Sequence, residues 1–396
     1  MRLWLSFAVA LTILAVGCAA PAAPTATSAP KPAAPAPAQP KPTAQTAQPT
    51  ATTAAAKPTP TTAAAKPTPA AAAKPAAAPA SGTSTVNVGV TRLMADGPLL
   101  IALEKGYFKE LGIEIKVGFE GSAADAMVPL AAGQLDVVGG GINVGTFNAI
   151  ARNLPMKIVA DRAYLTPGND GNFWMLRPGL KDKVTKITDL KGLKFAINST
   201  GSPLNYQAGK AFELFGMTLK DVDVTVIGFP DMGPALANGA IDAGIVVEPF
   251  ATAFHDKGMA YKWMAVSNFI TKPYMDIGVV FYNSDWAAKN DAVAKNFMVA
   301  LIKGAREYYT AMKNGPNRAE VIKILTTHTT IKDPKQMESV EWTGLNPDGY
   351  LDRESIIDQM NWYFDHKMID TKVPMEKVID QSYVDFAIGK LGKFKP

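Results

Sequence analysis

The stretch AAGQLDVVGGGIN, Ala131 to Asn143, is echoed about a hundred residues later by LANGAIDAGIVVEPF, Leu236 to Phe250. In each, a helix-like run stops at a glycine (Gly133, Gly239), one residue intervenes, and Leu135-Asp136 or Ile241-Asp242 leads into a short apolar run. Glycine just past a helix end takes the left-handed backbone that terminates it. A short apolar run bounded by turn signals reads as a buried strand. The two strands open into GGGIN and EPFAT at their carboxyl ends, where open α/β sheets place their ligands. Two such units facing one another build a cleft from two lobes. The repeated aspartates are expected to serve the turns through local backbone hydrogen bonds.

The flanking sequence extends both units. TVNVGVTR (Thr85 to Arg92) alternates polar and apolar β-formers as a strand does, and GPLLIALEKGYFKELG (Gly97 to Gly112) carries apolar residues at helical spacing. IEIKVGF (Ile113 to Phe119) is a strand, and SAADAMVPLAAG (Ser122 to Gly133) is a helix with Ser122 as its cap. The order restarts with the strand LKFAIN (Leu193 to Asn198), the helix SPLNYQAGKAFELFG (Ser202 to Gly216), the strand DVDVTVIGF (Asp221 to Phe229) and the helix DMGPALANG (Asp231 to Gly239). Strand and helix in alternation predict an α/β fold with largely parallel sheets. YMDIGVVFYN (Tyr274 to Asn283) reads as a strand returning to the first lobe. The remainder is mainly helical and amphipathic, with Trp362, Tyr363 and Phe364 as core residues.

The first 83 residues have a different character. MRLWLSFAVALTILAVGC places Arg2 before an apolar stretch too short to span a bilayer, and small residues then lead directly into Cys18, the only cysteine of the 396 residues. That arrangement resembles a bacterial lipoprotein signal, in which residues 1–17 are removed and Cys18 becomes the lipidated N-terminus. From residue 19 to 83 the chain is rich in Ala, Pro, Thr and Lys, repeating AAAKPTP, and is expected to be a disordered stalk. The formal net charge of +5 comes from this segment, which holds six basic residues and no acidic one. From Ser84 onward 34 basic residues face 35 acidic, a net of −1. A nearly neutral globular part gives no electrostatic reason to expect a nucleic-acid partner.

TRLMADGPLLIALEKGYFKELGIEI, AAGQLDVVGGG, ITDLKGLKFAI and NGAIDAGIVVEPFA together resemble the solute-binding proteins of ABC importers, in the branch that takes up taurine, alkanesulfonates, nitrate and thiamine-pyrimidine precursors. The resemblance covers almost all of Val86 to Leu391. It implies a two-lobed type II periplasmic-binding-protein fold that closes on its ligand about a hinge and docks on an ABC permease served by a separate ATPase subunit. The implied boundaries are 84–180 for the first part of lobe 1, 181–274 for lobe 2 and 275–396 for the return to lobe 1. Hinges are expected near Pro178 to Lys183 and Met275 to Val280. The long stalk and the pyrimidine-binder-like core most resemble riboflavin-binding lipoproteins, so riboflavin or another flat heterocycle is the expected ligand. Three carboxylates in the expected cleft loops agree with that: Asp96 (with Gly97 beside it), Glu248 and Asp276 accept hydrogen bonds from ring N–H or hydroxyl groups and repel an anion. Phe147, Trp174, Tyr206 and Phe250 supply stacking surfaces. Asn143, Thr146, Ser199 and Ser202 stand before helices, where free backbone N–H groups suit an anion equally well.

Enzymatic readings find little support in the sequence. GGGINVG lacks the last glycine of a dinucleotide fingerprint, and neither a phosphate-binding G-x-x-x-x-G-K-[ST] loop nor a G-x-S-x-G elbow occurs. His255, His328 and His366 have no metal-site spacing, so neither cofactor nor metal is expected. The related pyrimidine-precursor synthases rely on a first-lobe histidine and a cysteine-rich segment, and this chain has neither. A ligand-sensing lipoprotein would need the same closing cleft as a transport component and is the alternative of a different class.

Overall fold

The computed structural model describes residues 83–119, 123–272 and 275–395. The expected signal segment, Cys18, the stalk and the proposed Ser122 cap lie outside these residues. Among these described residues ten strands form two five-stranded sheets. The first contains β1 (Ser84–Val90), β2 (Ile113–Phe119), β3 (Val137–Gly140), β4 (Met156–Leu165) and β10 (Met275–Asn283), in the order β2-β1-β3-β10-β4. The second contains β5 (Asn172–Leu176), β6 (Lys194–Ile197), β7 (Asp223–Val226), β8 (Ala243–Val247) and β9 (Tyr261–Ala265), in the order β7-β6-β8-β5-β9.

The two orders are the same topology twice. In each sheet four strands run parallel, and the reversed one, β10 or β5, is the strand that has just arrived from the other lobe. The chain therefore passes from lobe 1 to lobe 2 between β4 and β5 and returns between β9 and β10. This corrects the sequence reading of boundaries and hinges. Pro178–Leu180 is a short 3-10 turn inside lobe 2, and Met275 to Val280 is a strand paired on both sides in the first sheet.

The doubled phrase has the same physical content in both lobes. Helices α1 (Gly97–Glu104), α2 (Tyr107–Glu110) and α3 (Ala123–Ala131) precede the first copy, and α4 (Val144–Ala151), α5 (Pro203–Glu213) and α6 (Phe229–Ala237) lead to the second. Gly133 and Gly239, at φ of +71° and +77°, terminate α3 and α6. Three residues later the aspartate side chain closes the ladder. The Asp136 carboxylate accepts the Asn87 N–H at 2.8 Å while the Asp136 N–H donates to the Asn87 carbonyl at 2.9 Å. Asp242 repeats this with the Lys194 N–H at 3.1 Å and the Lys194 carbonyl at 2.9 Å. Each aspartate thus extends a strand pairing, β3 with β1 or β8 with β6, one rung beyond its regular register, the backbone role expected of it.

Lobe 2 continues with α7 (Phe250–Asp256). After β10 follow α8 (Ser284–Lys289), α9 (Asp291–Met312), α10 (Arg318–His328), α11 (Pro334–Ser339), α12 (Arg353–Asp365), α13 (Met375–Val378) and α14 (Ser382–Leu391). Helix α9 lies along α1 with Gly304 at the crossing, where a Cβ would run into the Pro98 carbonyl. Val86, Val88 and Val90 point into the layer between β1 and α9, and Trp174, Phe195 and Phe212 centre the core of lobe 2. Trp362 and Tyr363 are buried as expected, whereas Phe364 is 37% exposed. Among the described residues no helix is long and apolar enough to cross a membrane.

Candidate functional site

A cavity of about 330 Å³ lies between the lobes, walled by the segments that follow the carboxyl ends of strands from both. Lobe 1 contributes Thr91, Arg92 and Leu93 after β1, Gly140 and Gly141 at the end of β3, and Arg162 from β4. Lobe 2 contributes Asn198 and Ser199 after β6, Ser202, Leu204 and Gln207 at the start of α5, Phe229 at the start of α6, and Glu248 and Phe250 after β8. The lips touch. The Val144 N–H donates to the Gly201 carbonyl at 3.0 Å and the Met94 N–H to the Glu248 carbonyl at 3.3 Å. A Cβ at Gly141 would stand 2.5 Å from the Pro203 ring, so only a glycine allows this approach.

The three carboxylates expected to meet the ligand are engaged elsewhere. Asp96 is 2% exposed: one oxygen accepts from Arg162 Nε and Nη2 at 3.1 and 2.6 Å, and the other from the Thr91 N–H, the Thr91 hydroxyl and the Leu93 N–H. Buried charges persist where they are paired and hydrogen-bonded in this way. The pair shapes the loop after β1 and leaves Asp96 outside the cavity wall. Glu248 is a wall residue, but its carboxylate turns into lobe 2. It takes Lys262 Nζ at 2.7 Å, the Thr252 hydroxyl at 2.7 Å and the Thr252 N–H at 3.0 Å. Asp276 lies behind the cleft, accepting the Asp352 N–H at 2.8 Å. The charged side chains of the wall are therefore Arg92, Arg162 paired with Asp96, and Glu248 paired with Lys262. This wall is not acidic, and the repulsion argument against an anion does not hold.

The other expected residues divide. Asn143, Ser199, Ser202 and Phe250 line the cavity. Asn143 caps α4 by accepting the Thr146 N–H at 3.0 Å, and Thr146 itself is fully buried, with its hydroxyl toward Met127. Gly97 packs under Tyr308. Phe147 lies in the lobe 1 core, and Trp174 packs on Phe195, Phe212 and Phe269 in lobe 2. Tyr206 faces α12, its hydroxyl donating to Asp358.

Arg92, Arg162, Asn172, Asn198 and Gln207 are wall residues that sequence reading missed. Helical spacing could have found Gln207, because Pro203 on the wall and Gln207 are four residues apart and share a face, whereas Tyr206 points away. Gln207 Oε1 accepts from Asn172 Nδ2 at 2.9 Å. Gln207 Nε2, Asn198 Oδ1 and the Ser202 hydroxyl, all in wall residues of lobe 2, are buried with no hydrogen-bond partner among the described residues. Phe229 and Phe250, on the same wall, stack with centroids 6.0 Å apart.

Behind the cleft, Asp276 interacts with a second buried carboxylate, Asp161, whose oxygen accepts the Asn346 N–H at 2.6 Å. Burial pushes Asp161 up to about 7, and burial together with the Asp161 charge pushes Asp276 well above the carboxylate range. The unfolded chain sheds these protons near pH 4 while the folded chain keeps them, so stability declines as pH rises from there through about 7. Asp161→Asn is expected to make that decline shallower, read as urea midpoints on both sides of the window. An identical decline in the variant excludes Asp161 as its source.

A family model described as NMT1/THI5-like matches residues 96–319, more than half of the chain. The chain belongs to that family. The bicarbonate-binding protein CmpA of Synechococcus elongatus is 25% identical over 279 residues, 64% of this chain and 60% of that protein, so the match spans less than two thirds of the relative. Three solved structures share the fold. The ligand-binding component of an ABC-type import system from Staphylococcus aureus, with zinc bound, superposes with a TM-score of 0.64 at 15% identity over 77% of this chain and 99% of that one. The alkanesulfonate-binding protein SsuA from Xanthomonas axonopodis pv. citri, bound to MOPS, gives 0.62 at 15% over 76% and 99%. The nitrate-binding protein NrtA from Synechocystis gives 0.61 at 17% over 78% and 89%. The family member described here thus has the two-lobed type II periplasmic-binding-protein fold.

Proposed function

We propose that the protein is the solute-binding component of an ABC importer. In this reading it is tethered by lipidated Cys18 to the outer face of the cytoplasmic membrane, captures a flat organic solute and delivers it to a permease with a separate ATPase. The observation that carries this is the inter-lobe cavity of about 330 Å³. That volume falls in the range of organic-ligand pockets, about 300–1,000 Å³. An ion the size of bicarbonate or nitrate is comparable with one or two waters, at ~30 Å³ each, and fills only a small part of it. The Phe229 and Phe250 rings in a wall that also carries Asn198, Ser202 and Gln207 suit a solute with an apolar ring face and a hydrogen-bonding edge. Riboflavin has both and is the first ligand to test.

The second reading, an organic or inorganic anion, is favoured by one observation: Arg92 and Arg162 both line the cavity, and the wall carboxylate Glu248 is paired with Lys262. It agrees with the sulfonate, nitrate and bicarbonate named for the similar proteins. Titration of the full chain with riboflavin, followed by flavin fluorescence and repeated with taurine, nitrate and bicarbonate as competitors, separates the two. Saturable one-to-one quenching that the anions do not displace is the expected result. Anion binding without a flavin response establishes the second reading, and binding of none of them removes both ligand assignments.

A further inference from the structure

Helix α12 belongs to the segment that follows the return to lobe 1, yet it holds both lobes. Toward lobe 1, Gln359 Nε2 donates to the Asp276 carbonyl at 2.6 Å and Ser355 Oγ accepts the Asp276 N–H at 2.9 Å. Toward lobe 2, Trp362 Nε1 donates to Glu213 at 2.8 Å, its ring lies against Gly209, and Asp358 receives the Tyr206 hydroxyl. Between these anchors the Tyr363 hydroxyl, fully buried, stands 3.0 Å from the Ser202 carbonyl in lobe 2 and 3.3 Å from the Ile142 carbonyl in lobe 1. These carbonyls belong to the N-cap of α5 and to the residue before the N-cap of α4. Both N-caps, Ser202 and Asn143, are cavity-wall residues, and their neighbours make the lip contact from Val144 to Gly201.

We propose that Tyr363 is a positioning residue for the cleft: its one hydroxyl proton, shared between carbonyls of the two lobes, holds both wall N-caps in register and favours the closed arrangement. Tyr363 does not itself line the cavity and acts through the backbone carbonyls of Ile142 and Ser202. Burial pushes its phenol far above its ordinary value, so the hydroxyl remains a donor throughout the physiological pH range. The inference concerns closure of the protein by itself and needs no solute, so its failure leaves the transport reading intact, and the reverse.

The test is hydrogen exchange at single-amide resolution on the full chain without added solute, comparing parent, Tyr363→Phe and Tyr282→Phe. Tyr282 is equally buried, on β10 in the lobe 1 core layer, and its hydroxyl donates to the Ala294 carbonyl at 3.0 Å. In Tyr363→Phe the lip amides of Val144 and Met94 are expected to exchange about fivefold faster, the effect of one ordinary hydrogen bond. Strand amides at Val88 and Ala196 should keep the parent rate, and Tyr282→Phe, which also removes one buried hydroxyl hydrogen bond, should leave the lips unchanged. Unaltered lip exchange in Tyr363→Phe overturns the proposal. So does acceleration spread equally over lips and strands, which marks general destabilisation.

Discussion

Asp96→Ala is expected to lower the unfolding free energy by about 3–5 kcal/mol, the usual cost of leaving one member of a buried ion pair without its partner. Arg162 is 8% exposed and loses its carboxylate partner, while the Thr91 N–H, Thr91 hydroxyl and Leu93 N–H lose their common acceptor. Urea denaturation reads this as a lower midpoint with an unchanged slope. The double variant Asp96→Leu with Arg162→Met is expected to recover most of the loss, because a well-packed apolar pair commonly matches a buried ion pair in stability. A midpoint for Asp96→Ala equal to the parent's, with solute affinity lost, would instead return Asp96 to the ligand, where sequence reading had placed it.

Glu248→Ala comes next, with an expected loss of about 2–4 kcal/mol. Glu248 is 1% exposed and satisfies Lys262 together with both donors of Thr252. Lys262 keeps some contact with solvent, which puts this loss below that of Asp96→Ala. The backbone around Glu248 also builds the cleft: its N–H reaches the Gly171 carbonyl at 2.7 Å, and its carbonyl receives the Met94 N–H from the opposite lip. Solute affinity is therefore expected to fall together with stability, although the carboxylate meets no solute. Glu248→Gln, which keeps an oxygen for Thr252 and removes the charge, should lose less of both. Normal stability with lost affinity in Glu248→Ala would show that the carboxylate turns into the cleft when solute is present.

The strands and helices around the doubled phrase were legible because their signals are local. A glycine that must take positive φ and an aspartate that closes the ladder announce themselves within a few residues. Strands β4 and β5 were not, since MKIVADRAYL and NFWML are buried nearly throughout and show little of the alternation that marks a half-exposed strand. That gap displaced the lobe boundary and both hinges. In the candidate site the positions before helices were found, whereas the roles of the acids were not. Asp96 meets Arg162 66 residues further along and Glu248 meets Lys262 14 residues further along, and no local pattern reveals which cation a carboxylate will find. An acid at the mouth of a strand looks the same in sequence whether it faces ligand or arginine.

The strand exchange between sheets also imposes an order on the chain as it is made. All five strands of the second sheet lie within residues 172–265 and can pair without help from any other part of the protein. The first sheet cannot, for β4 pairs along its length with β10 alone, and β10 begins at Met275, more than a hundred residues after β4 ends. During synthesis, when domains settle as units while the ribosome is still adding residues, the lobe encoded in the middle of the gene closes its sheet first. The lobe encoded at the start waits with a buried-type strand unpaired. Its completion depends on the return of a chain that has already folded elsewhere.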